Sequence, residues 1–157
     1  MDVVSNLTGI CALAGVAVIT LAATAQERHV QRKQLPMIVL ATIDRNTSGA
    51  TIKAYLVDRQ HGHKVYEAET IVAGHTRDIE VTQDGTLSEV EEEVAFDSLT
   101  VPVKHALLRE AKGDRIARVE ALSRGGTLVL YEASVKIGGK TKEIQVGPTG
   151  DKIQHLG

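Results

Sequence analysis

Three hydrophobic patterns run along the chain. The first is an unbroken apolar run, Ile10 to Leu21, inside a stretch from Val3 to Ala25 that carries no charge. The second is helical: Val103, Ala106, Leu107 and Ala111 recur at roughly the spacing of one helix face. The third is alternation. Val129, Tyr131, Ala133, Val135 and Ile137 occupy every second position, which sets them on one side of a strand. The pairs Ile79/Val81 and Ile144/Val146 alternate in the same way.

Prolines and glycines divide these patterns into elements. Pro36 and Pro102 suit a first helical turn, where a missing N–H costs nothing, and predict short helices over 37–44 and 103–112. Thr100 is placed to cap the second helix, and Gly49 and Gly113 to end the two. Stretches 51–58 and 115–122 are rich in β-formers and read as strands. Turns are expected at Gln60-His61-Gly62, Gly74, Asp84-Gly85, Arg124-Gly125-Gly126, Gly138-Gly139 and Thr149-Gly150. A further strand is expected over 86–94, leading into the second helix.

The chain also matches itself. YEAETIVAGHTRDIEV from Tyr66 to Val81 and YEASVKIGGKTKEIQV from Tyr131 to Val146 share seven of sixteen positions at an offset of 65. Leu35-Pro36 answers to Val101-Pro102, and Gly49 to Gly113, with one-residue slips. The fold predicted is α+β: two tandem repeats, 35–94 and 95–157, each a short helix on a three- to four-stranded antiparallel meander. Units of about sixty residues are marginal alone, so the two are expected to share a buried surface. Residues 26–34 read as a linker.

The pieces just quoted, above all the proline-led helices, the two Tyr-Glu-Ala strands and Gly139-Lys140-Thr141-Lys142-Glu143-Ile144, carry a resemblance. The region from residue 35 to the end resembles tandem PepSY-type repeats and is similar to the periplasmic PepSY-like, β-lactamase-inhibitor-like proteins of bacteria. That resemblance implies an exported, non-catalytic module that binds or inhibits other proteins, in some cases peptidases. The shared residues set a fold, so they imply architecture more than activity.

The first apolar run bears on location. Twelve apolar residues are short for a bilayer crossing but suit a signal peptide, and Ala23-Thr24-Ala25 offers the small residues of a cleavage site. Residues 1–25 are therefore expected to direct export to the periplasm or medium. The alternative is an uncleaved membrane anchor, since Arg28, Arg32 and Lys33 follow the run. Membrane contact is expected only through that segment if it is uncleaved.

Composition narrows function. Eighteen Lys and Arg against twenty Asp and Glu give a net charge of −2, without the basic stripe a nucleic-acid binder needs. Trp is absent and aromatic residues are 3%, so stacking on bases is poorly supplied. The one cysteine, Cys11, allows neither an internal disulfide nor a cysteine zinc site.

Candidate chemistry is thin. His61 and His63 are spaced as two ligands on one strand face, yet the matched segment in the second half keeps no histidine, and a metal needs three or four converging ligands. His75 and Asp58 are conceivable further ligands. Glu89, Glu91, Glu92 and Glu93 form an acidic run, read as a solvated strand edge or linker where charge blocks unwanted pairing. No serine sits in a nucleophile elbow, and Gly138-Gly139-Lys140-Thr141 lacks the first glycine of a phosphate loop. No enzyme activity and no cofactor are expected.

Tyr66 and Tyr131 fall on the apolar side of their strands, so Glu67 and Glu132 point away from it. The expected contact residues for a protein partner of the cell envelope are Glu67, Glu69, Arg124, Glu132, Lys136 and Lys140, with loops 59–63, 73–76, 123–127 and 138–141. A small-ligand or metal sensor is the alternative reading.

Overall fold

A computed structural model describes residues 28–60 and 62–153 of the chain. The expected signal segment 1–25, with Cys11, lies outside the described residues, as do His61 and His155.

The strands form one sheet. In chain order they are β1 (Arg28–His29), β2 (Thr51–Gln60), β3 (His63–Val72), β4 (His75–Thr82), β5 (Leu87–Glu93), β6 (Arg115–Arg124), β7 (Thr127–Ile137) and β8 (Lys140–Val146). Each pairs antiparallel with the next, so the order in the sheet is the order in the chain. Two helices, α1 (Met37–Asn46) and α2 (Val101–Ala111), interrupt the strands. A turn of 3-10 helix, Arg32–Gln34, lies between β1 and α1.

The α+β expectation of two helix-on-meander repeats is thereby corrected. The protein is mainly β, one eight-stranded antiparallel sheet with two short helices. The hydrophobic clusters beneath the two helices do not merge into one among the described residues. Hydrophobic burial falls into two separate clusters on the sheet. One gathers Leu35, Val39 and Ile43 with Tyr66, Ala68, Ile79 and Val81. The other gathers Leu99, Val103, Ala106, Leu107 and Ala111 with Val119, Ala133, Val135, Ile144 and Val146. The physical reason is the strand over 87–93. It pairs with β4 on one side and β6 on the other, from Glu89 opposite Arg124 to Glu93 opposite Glu120. Backbone hydrogen bonds, running edge to edge, do the joining that face-to-face packing was expected to do.

Local chemistry explains the helices. In α1 the buried side chains are Val39, Thr42 and Ile43, spaced i, i+3 and i+4 on a single face. It stops at Thr47, whose N–H and Oγ1 both donate to the Ile43 carbonyl at 2.9 Å. In α2 the same face carries Val103, Ala106, Leu107 and Ala111, as the spacing predicts. The helix begins two residues before the expected start, and the Thr100 side chain makes no capping bond. Lys112, left-handed at φ 53°, ends it, followed by Gly113 at φ 89°.

Both helices rest their first turns on glycine turns of the sheet. A Cβ on Gly85 would lie 2.5 Å from Ile38 Cγ1, and one on Gly150 would lie 2.6 Å from the Pro102 carbonyl oxygen. The Thr42 hydroxyl donates to the Gly85 carbonyl at 2.7 Å and ties α1 to the β4–β5 turn.

Candidate functional site: an uncovered, carboxylate-rich sheet face

Strand alternation sorts the sheet into two faces. Tyr66, Ala68, Ile79, Val81, Val119, Ala133 and Val135 meet the helices. Their neighbours point the other way, onto a face that neither helix covers. Four apolar residues on it, Leu56, Val65, Leu122 and Leu130, are nevertheless buried. They belong to neither helix-covered cluster. Longer polar side chains surround them: a small hollow of the face is lined by Leu56 and Val65 together with Asp58, Gln60, Glu67 and Glu80.

Carboxylates dominate this face because the registers stack them. Glu67 lies opposite Glu80, Glu80 opposite Glu89, and Asp78 opposite Glu91. Glu93 lies opposite Glu120, and Glu120 opposite Glu132. A hollow of about 250 Å³ opens among Gln60, Glu67, Asp78, Glu80, Glu89 and Glu91. Like charges directly opposite repel. The repulsion is relieved by hydrogen bonds and a few cations. Arg124 Nε meets Glu89 at 2.6 Å, and Arg118 meets Glu120 at 3.2 Å. The Ser88 hydroxyl donates to Glu80 at 2.6 Å, and Gln145 Nε2 donates to Glu132 at 2.6 Å.

Glu91 is where relief fails. Burial, then the neighbouring charges of Glu89, Glu120 and Glu132, push its carboxyl up to about 7. Asp78 across the ladder is also raised, chiefly by burial, although it accepts the Thr70 N–H at 2.8 Å. That bond puts a side chain where a backbone acceptor would stand, and the Thr70 hydroxyl donates to the adjacent Arg77 carbonyl. Glu93 goes the opposite way: the Thr76 N–H holds its carboxyl below the usual range. Thr76 also donates through its hydroxyl to Glu120 at 3.1 Å, so it ties β4 to β6 at the end of β5.

The residues named from sequence are spread over this face and its rim. Glu67 lines the central hollow. Glu69, two residues on, shares its side of β3, and its charge acts on Asp78. Glu132 is held by Gln145, and Arg124 is spent on Glu89. Lys136 donates to Thr141 Oγ1 at 2.5 Å, on the β7–β8 hairpin. Lys140 stands exposed at the start of β8, away from the hollow. His63 opens β3 in an exposed position, and its sequence partner His61 lies outside the described residues. Among the described residues no group of three or more His, Cys, Asp or Glu is arranged to hold a metal.

The acidic run is the main correction at the site. Read as an edge or linker, it forms a central strand, with Glu89, Glu91 and Glu93 on the uncovered face. Glu92 points to the helix side, where Arg77 meets it at 3.5 Å. Asp78, Glu80 and Glu120 were not singled out from sequence. Their signal was present, since Asp78 and Glu80 flank Ile79 and Val81 in a clean alternation. What alternation alone does not give is which strands lie side by side.

The fold has solved counterparts. A protein of Bacteroides eggerthii described as periplasmic matches with TM-score 0.62 at 14% identity, over 76% of this chain and 86% of its own. A DUF2874 family protein of Bacteroides ovatus matches with TM-score 0.60 at 16% identity, over 76% and 85%. A BLIP-like protein of Bacteroides fragilis matches with TM-score 0.55 at 14% identity, over 76% and 84%. No family model and no curated protein matches the chain. Among the described residues no helix is long and apolar enough to cross a membrane. At these identities the likeness is one of fold: the chain folds like a periplasmic protein, a DUF2874 family protein and a BLIP-like protein of Bacteroides.

Proposed function

We propose that the protein is an exported, non-catalytic binding module whose uncovered sheet face docks on a cationic surface of another envelope protein and blocks it. The observation that carries this reading is the face itself. Both helices lie on the other side of the sheet, and the registers gather carboxylates in adjacent rows around buried leucines. A broad rigid face with fixed charge suits recognition by complementarity and fast, steered association. The fold likeness to a periplasmic protein supports the setting, and that to a BLIP-like protein the inhibitor-like character. The resemblance to PepSY-type proteins agrees with both. No nucleophile, cofactor or metal enters the reading.

The test is affinity capture from an envelope extract with the native chain, followed by binding of the purified captured protein. The paired change Glu67→Lys and Glu80→Lys is expected to weaken that binding at least a hundredfold, with circular dichroism unchanged. Binding is also expected to fall steeply with salt, since much of its rate comes from steering. Capture that is indifferent to both charge reversal and salt would refute a docking role for this face.

A further inference from the structure

A second feature lies at the rim, where β5 leaves the sheet. Its last pairing sets Glu93 opposite Glu120, and one more bond runs from the Val94 N–H to the Val119 carbonyl at 2.9 Å. The chain then turns away into α2. β6, however, begins at Arg115. Over 115–118 it is paired on its β7 side alone. A short stretch of strand edge is left open inside the sheet, where an unpaired ladder is a template for another strand.

The surroundings of this edge are built for an occupant. A groove of about 540 Å³ runs along it, lined by apolar Val94, Phe96, Leu108 and Ile116 and, among its charged residues, by Arg115 and Arg118 with Glu93 and Asp114. Leu108 is 53% exposed on α2, with its side chain at the groove wall. Charge defines the other wall. The register shifts between Ile116 and Arg118, so that Ala117 is an extra residue. With Ile116 packed on the helix-side cluster, Arg115 and Arg118 both fall on the uncovered side. Arg115 stands opposite Lys136 of β7, which lies outside the groove. Arg118 is engaged by Glu120, whereas Arg115 has no ion-pair or hydrogen-bond partner among the described residues.

We propose that this groove receives a short extended segment of another protein, which adds to β6 as a strand and alternates aliphatic with acidic side chains. Its aliphatic residues would lie on Leu108 and Phe96, and its carboxylates would meet Arg115 and Arg118. At about 3.3 Å per residue the open edge accommodates about four or five residues. This site borders the acidic face of the proposed function and shares Arg118 with it. Arg115 and Leu108, on which its test turns, take no part in that face, so each reading fails on its own.

The probe is a capped peptide of alternating valine and glutamate, about five residues long. It is titrated into the isotope-labelled full chain and followed by amide NMR. Saturable binding at micromolar to low millimolar concentration is expected, with the largest shifts at 115–118. The change Arg115→Glu is expected to weaken it at least tenfold, and Leu108→Asp, at an exposed position, by a similar factor. A version with lysine for glutamate, and one with a central proline that cannot donate to the ladder, are expected not to bind. Equal binding of the lysine peptide overturns the proposal. So does binding that leaves the amides of 115–118 unmoved, or no binding at low millimolar peptide. Concentration-dependent broadening of the same amides without peptide would name a second copy of this chain as the occupant and overturn it too.

Discussion

Glu91 shows how one side chain reports its place in the sheet. Its carboxyl is pushed up to about 7 by burial and by Glu89, Glu120 and Glu132. The folded state therefore holds a proton that the unfolded chain releases near 4.5. Between those values folding takes up a proton, so this residue's contribution to stability falls as pH rises. Replacing Glu91 by Gln removes the charge at no cost in shape. The variant is expected to be more stable than the native chain by about 1 kcal/mol at pH 8, a value discounted for solvent screening. The gain should shrink towards zero at pH 4. Urea unfolding at the two pH values, native against Glu91→Gln, measures it. A variant no more stable at pH 8 would mean the carboxylate is already relieved there. Glu93 and Asp84 work in the opposite sense. Their carboxyls are held low by the Thr76 N–H and the Thr82 hydroxyl, so their stabilisation is present above the unfolded value and lost in acid. Comparing two variants of one chain cancels these terms.

At the scale of the element, the helices are set by the turns beneath them. Gly150 and Gly113 both adopt positive φ, 84° and 89°, where any side chain is strained. Only Gly150 also abuts backbone, the Pro102 carbonyl, whereas a Cβ on Gly113 would meet open space. Gly113→Ala is therefore expected to cost about 1 kcal/mol and Gly150→Ala at least twice that, by chemical denaturation. Much at this level was legible in the sequence. Period-two alternation placed the strands over 129–137 and 144–146, and helical spacing placed Val103, Ala106, Leu107 and Ala111 inward. Boundaries drifted by two residues, because Val101 and Arg124 take their state from neighbours rather than from propensity. The strand expected over 86–94 forms over 87–93, but the expectation that its acidic run is a solvated edge or linker fails. Four glutamates in five positions look solvated, yet Val90 packs against the first cluster and the backbone of the run is paired on both sides. Pairing across 35 residues, as between Glu89 and Arg124, leaves no local trace in composition.

For the whole molecule the decisive fact is that two hydrophobic clusters share a sheet but no side chains. Contacts between them pass through β5 and β6. Mild changes in the two clusters should then add. Ile43→Val and Ile144→Val are each expected to cost about 1 kcal/mol, and the double variant to equal their sum within about 0.5 kcal/mol. A double-mutant cycle by urea unfolding checks it; strong coupling would show that strain travels through the central ladder. The same separation explains why the expected fold class failed while its pieces survived. The matched Tyr66 and Tyr131 stand opposite Val81 and Val146 in their own ladders, and neither cluster needs the other as a lid.

The strand order, each next to its predecessor from first to last, has one more implication. Every hairpin closes over a short loop, or over one helix, so each strand finds its partner in the one that follows it in the chain. Growth from the amino end leaves a finished ladder behind it and exposes one unsatisfied edge at a time. A chain truncated after the first helix-covered cluster would thus present the β5 backbone as its raw margin, with Glu89, Glu91 and Glu93 as the charges that keep like fragments from zipping together.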